Sequence, residues 1–377
     1  MIKIFLLAVV GAGCLLSGMV KAQTTESFTY DGVNRSYIVY TPSSYVPGTV
    51  MPLVFVLHGF TQTAQAIMDV SGFNVIADTG NFIVVYPNGV GNAWNSNSGM
   101  TGGSTADDIG FISALTDTIA SRYGVDTTRV YSCGFSAGGY MSHRLACESP
   151  RCYAAVASVA GTMSTAAYSA CVPARPVPVL QIHGTADAIV SYNGGVGGVS
   201  VDDVVSKWTS VDLCPSTPVI TALPNTNLFD NSTVESSIYG SCAAGSEVKL
   251  LKVVGGGHQW PGTSVLLGGL GTINRDINAS GEIWNFFRRF NCTNSTSSVN
   301  AIDERAITLE QVAPGNYVLH ADHAQPFHYS LFDLNGREIV KSSVHGESLI
   351  DISNMATGFY LLVIRTDNNQ YGYRLFR

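Results

Sequence analysis

Arg129-Val130-Tyr131-Ser132-Cys133-Gly134-Phe135-Ser136-Ala137-Gly138-Gly139 is the stretch on which the reading of this chain turns. Arg129 to Cys133 is short, carries β-branched Val130 beside Tyr131 and is closed by Gly134, the pattern of a buried strand. Ala137 to Cys147 follows with apolar residues at three- and four-residue spacing, the pattern of a helix. Between them Gly134-Phe135-Ser136-Ala137-Gly138 must turn sharply, with glycines admitting the crowded backbone and the serine hydroxyl presented at the strand's end. The helix aims its N-terminal amides at negative charge developing beside Ser136. Ser136 is therefore the candidate nucleophile.

Outward from this elbow, Leu53 to Leu57, Phe82 to Tyr86, Ala154 to Val159, Val179 to His183 and Val248 to Val254 also read as buried strands. Helix-like periodicity marks Asp107 to Tyr123, Val201 to Val211 and Ser280 to Phe290. Alternating strands and helices predict an α/β fold, a largely parallel sheet covered by helices on both faces. Asp187, in Gly184-Thr185-Ala186-Asp187, follows the strand that ends at His183, and His258, in Gly256-Gly257-His258-Gln259-Trp260-Pro261-Gly262, follows the strand that ends at Val254. An acid that orients a base and a base that takes the nucleophile's proton complete the constellation. The chain order Ser136, Asp187, His258 is that of α/β-hydrolases and not of chymotrypsin or subtilisin types. The oxyanion that such chemistry creates needs two donors. The amide of Ala137 is one, and the loop Leu57-His58-Gly59-Phe60-Thr61-Gln62 offers Phe60, or in second place Thr61, as the other.

Competing residues have blander readings. His58 ends a strand and shapes this loop. Asp107 and Asp108 precede a helix as N-cap and first-turn acid, and Asp202, Asp203 and Asp212 lie on or beside a helix that reads as solvated. His143 and Arg144 are expected to be structural. Trp94 and Trp260 are candidates to flank an aromatic acyl group, with core packing the equal alternative. His320, His323 and His328 have neither nearby Cys nor a helical H-E-x-x-H frame, so they read as surface residues and no metal or organic cofactor is implied.

Residues 1–22 open with Lys3, run apolar from Ile4 to Leu16 and end Val20-Lys21-Ala22, the pattern of a signal peptide. The run is too short for a spanning helix, so a mature chain without a membrane span is expected, and Cys14 lacks the preceding Leu of a lipobox. Cleavage removes two lysines and no acid, taking the net charge from −7 to −9. Charged residues are only 12% of the chain, which with this acidic balance excludes a nucleic-acid binder and a disordered polyampholyte. Cys133, Cys147, Cys152, Cys171, Cys214, Cys242 and Cys292 remain, an odd number in a disulfide-permissive compartment. Cys133, inside the elbow strand, reads as a buried small hydrophobe.

The main domain is expected to span 23–293, followed by a polar linker over 294–301 built on Asn294-Ser295-Thr296-Ser297-Ser298. From 302 to 377 the character changes to short strands and turns such as Asn335-Gly336, a small all-β sandwich. Tyr329-Ser330-Leu331-Phe332-Asp333-Leu334-Asn335-Gly336-Arg337, Ile352-Ser353-Asn354-Met355-Ala356-Thr357-Gly358-Phe359-Tyr360 and the basic terminal strand Tyr373-Arg374-Leu375-Phe376-Arg377 resemble the C-terminal sorting domain of the type IX secretion system of Bacteroidetes. That resemblance implies a secreted or cell-surface protein with the type IX machinery as a partner. A carbohydrate-binding module is the structural rival.

Leu57-His58-Gly59-Phe60-Thr61-Gln62, Ala106-Asp107-Asp108-Ile109-Gly110-Phe111-Ile112, Gly134-Phe135-Ser136-Ala137-Gly138-Gly139-Tyr140-Met141, His183-Gly184-Thr185-Ala186-Asp187 and Gly256-Gly257-His258-Gln259-Trp260-Pro261-Gly262 together resemble the polyhydroxybutyrate depolymerase and feruloyl esterase family. The likeness runs from about Thr29 to Phe290. It implies a serine carboxylic ester hydrolase, with Ser136, Asp187 and His258 matching the family's triad. Many members carry Cys where this chain has Phe60, a change that bears on substrate shape because only the backbone amide is needed there. The resemblance also implies a Cys214–Cys242 disulfide and leaves pairings among Cys147, Cys152, Cys171 and Cys292 open. The expected substrate is a feruloyl or acetyl ester on plant polysaccharide. A polyester such as polyhydroxybutyrate is the alternative, followed by a peptidase or a non-catalytic surface protein.

Overall fold

A computed structural model describes residues 23–96, 103–195, 197–292, 307–313, 315–321, 327–333, 337–344, 347–356, 358–365 and 370–376. The expected signal peptide and linker, His323 and the Asn335-Gly336 turn lie outside the described residues. Contacts divide the chain into two compact units at 294/295.

The first unit begins with a hairpin, β1 (Gln23–Tyr30) and β2 (Val33–Tyr40), then β3 (Met51–Leu57), α1 (Ala64–Ser71), α2 (Phe73–Gly80) and β4 (Ile83–Pro87). It continues through α3 (Asp108–Tyr123), β5 (Val125–Phe135), α4 (Ala137–Glu148), β6 (Ala155–Val159), α5 (Thr165–Ala170), β7 (Val179–Gly184) and α6 (Val201–Val211). β8 (Val219–Ala222), β9 (Thr233–Tyr239), β10 (Val248–Val254) and α7 (Ala279–Phe287) complete it. The strands form one sheet in the order β1-β2-β4-β3-β5-β6-β7-β10-β9-β8. Its centre, β4 to β10, is parallel, and antiparallel strands flank it on both sides. This is the α/β architecture, a largely parallel sheet covered by helices, expected from the alternation of strands and helices.

Period-2 alternation builds two cores. Val54 and Val56 of β3 face one side with Ile67 of α1, Phe73 of α2 and Ile283 of α7. Leu53, Phe55 and Leu57 face the other with Phe111 of α3, Met141 of α4 and Trp208 of α6. Because both faces are covered, β3 is buried at all seven positions, and a continuous apolar run replaces the alternation seen in half-exposed strands. The edge hairpin and the β8/β9 pair escaped the sequence reading because none is an unbroken apolar run: β8 is exposed at every residue, β1 alternates exposed and half-buried positions, and β2 and β9 are only partly buried.

The second unit holds β11 (Ile307–Ala313), β12 (Asn316–Ala321), β13 (Phe327–Phe332), β14 (Glu338–Val344), β15 (Glu347–Asp351), β16 (Phe359–Arg365) and β17 (Gln370–Phe376). Sheets β11-β12-β15 and β14-β13-β16-β17 share a core in which Leu319 and Ile350 of the first meet Leu331, Leu362 and Leu375 of the second. A small β-sandwich results, as expected. His320 lies in β12, and His328 is exposed on β13.

Three disulfides form, Cys147–Cys171, Cys152–Cys292 and Cys214–Cys242, while Cys133 is a buried free thiol. Cys152–Cys292 ties the chain after α7 to the segment after α4 across 140 residues. Closing so long a loop restricts the unfolded chain by up to about 5 kcal/mol in a chain-entropy account. Cys152→Ser with Cys292→Ser should therefore lower the unfolding free energy by about 2–5 kcal/mol, read as an earlier urea midpoint, with a steeper slope as the released unfolded chain exposes more surface.

Candidate active site

Loops leaving the C-terminal ends of β3, β5, β7 and β10 carry Phe60, Ser136, Asp187 and His258 in turn. These strands lie together in the sheet, with only β6 between β5 and β7. Alternation in sequence is thus converted into convergence in space.

Ser136 sits between β5 and α4 with φ 54° and ψ −117°, a region that costs a non-glycine residue free energy and persists only when the surroundings over-determine it. They do so here. The Ser136 N–H donates to the Val159 carbonyl at 2.8 Å, and the Ser136 carbonyl accepts from Gly139 at 2.8 Å and Tyr140 at 3.1 Å. A Cβ on Gly134 would strike the backbone of Gly138, and one on Gly138 would strike the Leu57 carbonyl. Both glycines are required by close approach.

Asp187 is fixed on two sides. Its Oδ1 accepts the N–H groups of Ile189 and Val190, each at 2.8 Å, and its Oδ2 accepts from His258 Nδ1 at 2.8 Å. Burial acts to raise this carboxyl, but hydrogen bonding to His183 and His258 outweighs it and holds Asp187 well below the usual carboxylate range. With Nδ1 donating to a carboxylate, His258 keeps Nε2 as its acceptor. The imidazole loop is held in turn, His258 N–H bonding Leu270 at 2.7 Å and Gly257 N–H bonding Thr272 at 2.9 Å. Phe135, the residue before Ser136, lies with its ring 4.9 Å from the His258 ring.

The Ala137 amide opens α4, where the first N–H groups lack intrahelical acceptors. In the β3 loop the Thr61 N–H is taken by the Asn92 carbonyl at 2.9 Å and the Gly59 N–H by Gln62 Oε1 at 2.9 Å. Of the two amides that the sequence left open, Phe60 and Thr61, the second is engaged elsewhere. His58 is fully buried. Its Nε2 accepts from the Gly89 N–H at 3.0 Å, so its Nδ1 donates to the Gly59 carbonyl at 2.7 Å. Burial lowers this imidazole to about 4, and it braces the loop as a neutral group.

Trp94 and Trp260 are buried, at 2% and 1% exposure. Trp94 Nε1 donates to the His58 carbonyl at 2.9 Å. Trp260 Nε1 donates to Ser280 Oγ at 3.1 Å, and its ring packs edge-on against Phe73 and Phe135. The two rings pack into the cores on opposite faces of the sheet. Each supports the site from beneath, Trp94 under the β3 loop and Trp260 behind the elbow.

Asp107 caps α3 through the Gly110 N–H at 2.9 Å, and Asp108 is a buried partner of Arg35 at 2.6 Å. Asp203 forms a capping box with Ser200. Asp212 corrects the sequence reading: it is buried rather than solvated, accepting from the Val177 N–H at 3.0 Å and from the Ser246 hydroxyl. Burial dominates these donors and pushes Asp212 up to about 7. The folded state then holds a proton that the unfolded chain, at 3.8, has released, so this group's contribution falls as pH rises from about 4 to about 7. Buried His58 and His143, each lowered to about 4, act in the opposite sense. Comparison with a variant therefore isolates Asp212: from pH 5 to 8 the melting temperature of Asp212→Asn should fall less, or rise more, than that of the unsubstituted protein.

Residues 35–203 match the family described as Esterase PHB depolymerase, and residues 313–376 match the Secretion system C-terminal sorting domain. The chain is similar to Bifunctional acetylxylan esterase/xylanase XynS20E of Neocallimastix patriciarum, 31% identical over 60% of this chain and 31% of that protein. It is also similar to Feruloyl esterase B of Piromyces equi, 30% identical over 59% of this chain and 42% of that one. It thus spans less than half the length of either relative. Among solved structures, Acetyl xylan esterase from Aspergillus awamori aligns with 70% of this chain and 99% of its own at 17% identity, with a TM-score of 0.48. The chain therefore contains an esterase PHB depolymerase domain and, towards its C-terminus, a secretion-system sorting domain that marks it for secretion or the cell surface.

Proposed function

We propose that this protein is a serine carboxylic ester hydrolase working through an acyl-enzyme, with Ser136 as nucleophile, His258 as general base and acid, and Asp187 as the group that orients His258. The observation that carries this reading is the 2.8 Å bond from His258 Nδ1 to Asp187 Oδ2, formed between the loops after the neighbouring strands β7 and β10, with only β6 separating them from the strand that leads into Ser136. Ser136 Oγ attacks the ester carbonyl and passes its proton to His258 Nε2; His258 returns it to the departing alkoxide. Water then enters by the same route and releases the acid. The oxyanion of each tetrahedral intermediate is received by the amides of Ala137 and Phe60, the second preferred because the Thr61 amide is already bonded to Asn92.

The substrate we favour is a feruloyl or acetyl ester on plant cell-wall polysaccharide, the type of bond in the names of both relatives. The description of the matched family supports a second reading, hydrolysis of a polyester of the polyhydroxybutyrate kind. We further propose that residues 23–293 form the esterase domain, that 294–301 link it to the sorting domain over 302–377, and that the type IX secretion machinery handles that domain after export directed by residues 1–22.

Ser136→Ala should abolish turnover of methyl ferulate and p-nitrophenyl acetate, and labelling by a fluorophosphonate, at unchanged melting temperature; retained turnover would sink the assignment. Asp187→Asn should lose about 10³–10⁴-fold in kcat and label correspondingly slowly, since the amide holds the wrong imidazole tautomer. Release of ferulate from bran, set against clearing of a polyester suspension, decides the substrate class.

A further inference from the structure

Beneath Asp187 lies a line of buried polar side chains to which the sequence assigned no joint role. Trp208 of α6 donates from Nε1 to His143 Nδ1 of α4 at 3.2 Å. His143 must then carry its proton on Nε2, which lies 3.1 Å from Gln181 Oε1 of β7. The Gln181 amide nitrogen faces the Gly161 carbonyl at 2.7 Å and His183 Nδ1 at 3.2 Å. His183 is thereby left protonated on Nε2, which donates to the Val190 carbonyl at 2.8 Å and faces Asp187 Oδ2 at 3.4 Å. Each donor in the series meets an acceptor, and each assignment forces the next. Every member is buried, His143, Gln181 and His183 at 1% exposure or less.

The geometry points to His183 as a positioning residue for Asp187, its tautomer set by Gln181 and, one step further, by His143 and Trp208. The inference rests on the reading of Ser136, Asp187 and His258 as a triad. His183 acts in two ways. The short bond to the Val190 carbonyl pins the residue whose own N–H holds Asp187 Oδ1, fixing the acidic loop against its strand. The longer approach to Oδ2 turns a second N–H dipole towards the oxygen that already receives His258. A buried apolar neighbour would provide neither. An alternative placement of the proton, on His183 Nδ1, would set two donors against each other at Gln181 and face Val190 with a lone pair.

Removing the Nε2–H should loosen the loop and concentrate the carboxylate's charge on His258, which favours the imidazolium. The other groups around this end of the chain are Tyr140 of α4, whose phenol Thr162 contacts at 2.8 Å, and Tyr192, whose ring lies edge-on to His183 with Lys252 5.3 Å from its centroid. All are kept in the variants. His183→Phe should lower kcat about tenfold or more at nearly unchanged KM, the scale of losing a group that orients a reacting one. Its acidic limb in kcat/KM should move to higher pH by several tenths of a unit. His183→Gln, which keeps an N–H at the reach of Nε2, should recover most of the kcat, and Gln181→Leu should fall between. Ser136→Ala is run beside them. Loss of activity in Ser136→Ala with unchanged kcat and pH limb in folded His183→Phe would overturn this inference and spare the triad, as would a His183→Gln variant no better than His183→Phe. Turnover surviving in Ser136→Ala would instead overturn the triad itself, and this inference with it.

Discussion

The first turn of α4 is packed so closely on β3 and β5 that two positions admit no side chain. At Gly138 a Cβ would meet the Leu57 carbonyl, and at Gly134 it would meet the backbone of Gly138 itself. That approach forces the chain to reverse within one residue, and the reversal falls on Ser136, in the left-handed region. The strain is tolerated because the elbow is clamped by β6 through Val159 and roofed on both faces by continuous apolar cores. A pre-set serine hydroxyl, itself largely buried at the elbow, is thus a by-product of helix-to-sheet packing.

Two buried carboxyls show how the same burial gives opposite outcomes. Asp187 receives two backbone N–H groups and an imidazole and faces a second imidazole, so its ionised form is favoured despite desolvation. Asp212 receives one N–H and one hydroxyl, and desolvation prevails. The number and charge of donors decides, because in a poorly polarisable interior only directed dipoles can replace hydration. Asp108 falls between them, desolvated but paired with Arg35.

The disulfides follow from the same economy of packing. The long excursions beyond α4 and α6 are held by covalent links as well as by packing, and beyond α6 Leu213, Val219, Ile220, Leu228 and Phe229 stay exposed. Cys147–Cys171 and Cys214–Cys242 close short spans there, and Cys152–Cys292 secures the chain after α7. Among the described residues no helix is long and apolar enough to cross a membrane.

From sequence alone the central strands, the four main helices, the elbow and the order Ser136, Asp187, His258 were legible, because buried parallel strands and their following loops write their signatures locally. β10 and α6 run over the spans that periodicity predicted. The edge hairpin β1–β2 and the pair β8–β9 were not legible, since β1 and β8 bury no residue fully and β2 and β9 mix buried apolar residues with polar ones such as Arg35, Ser236 and Ser237. Nor could periodicity say that Asp212 is buried, that Trp94 and Trp260 turn inwards, or which cysteine among Cys147, Cys152, Cys171 and Cys292 meets which. His143, Gln181 and His183 belong to two elements that only the sheet brings together. Hydrogen bonding between distant residues has no period and no spacing, so the line from Trp208 to Asp187 exists only once α4, α6 and β7 are packed.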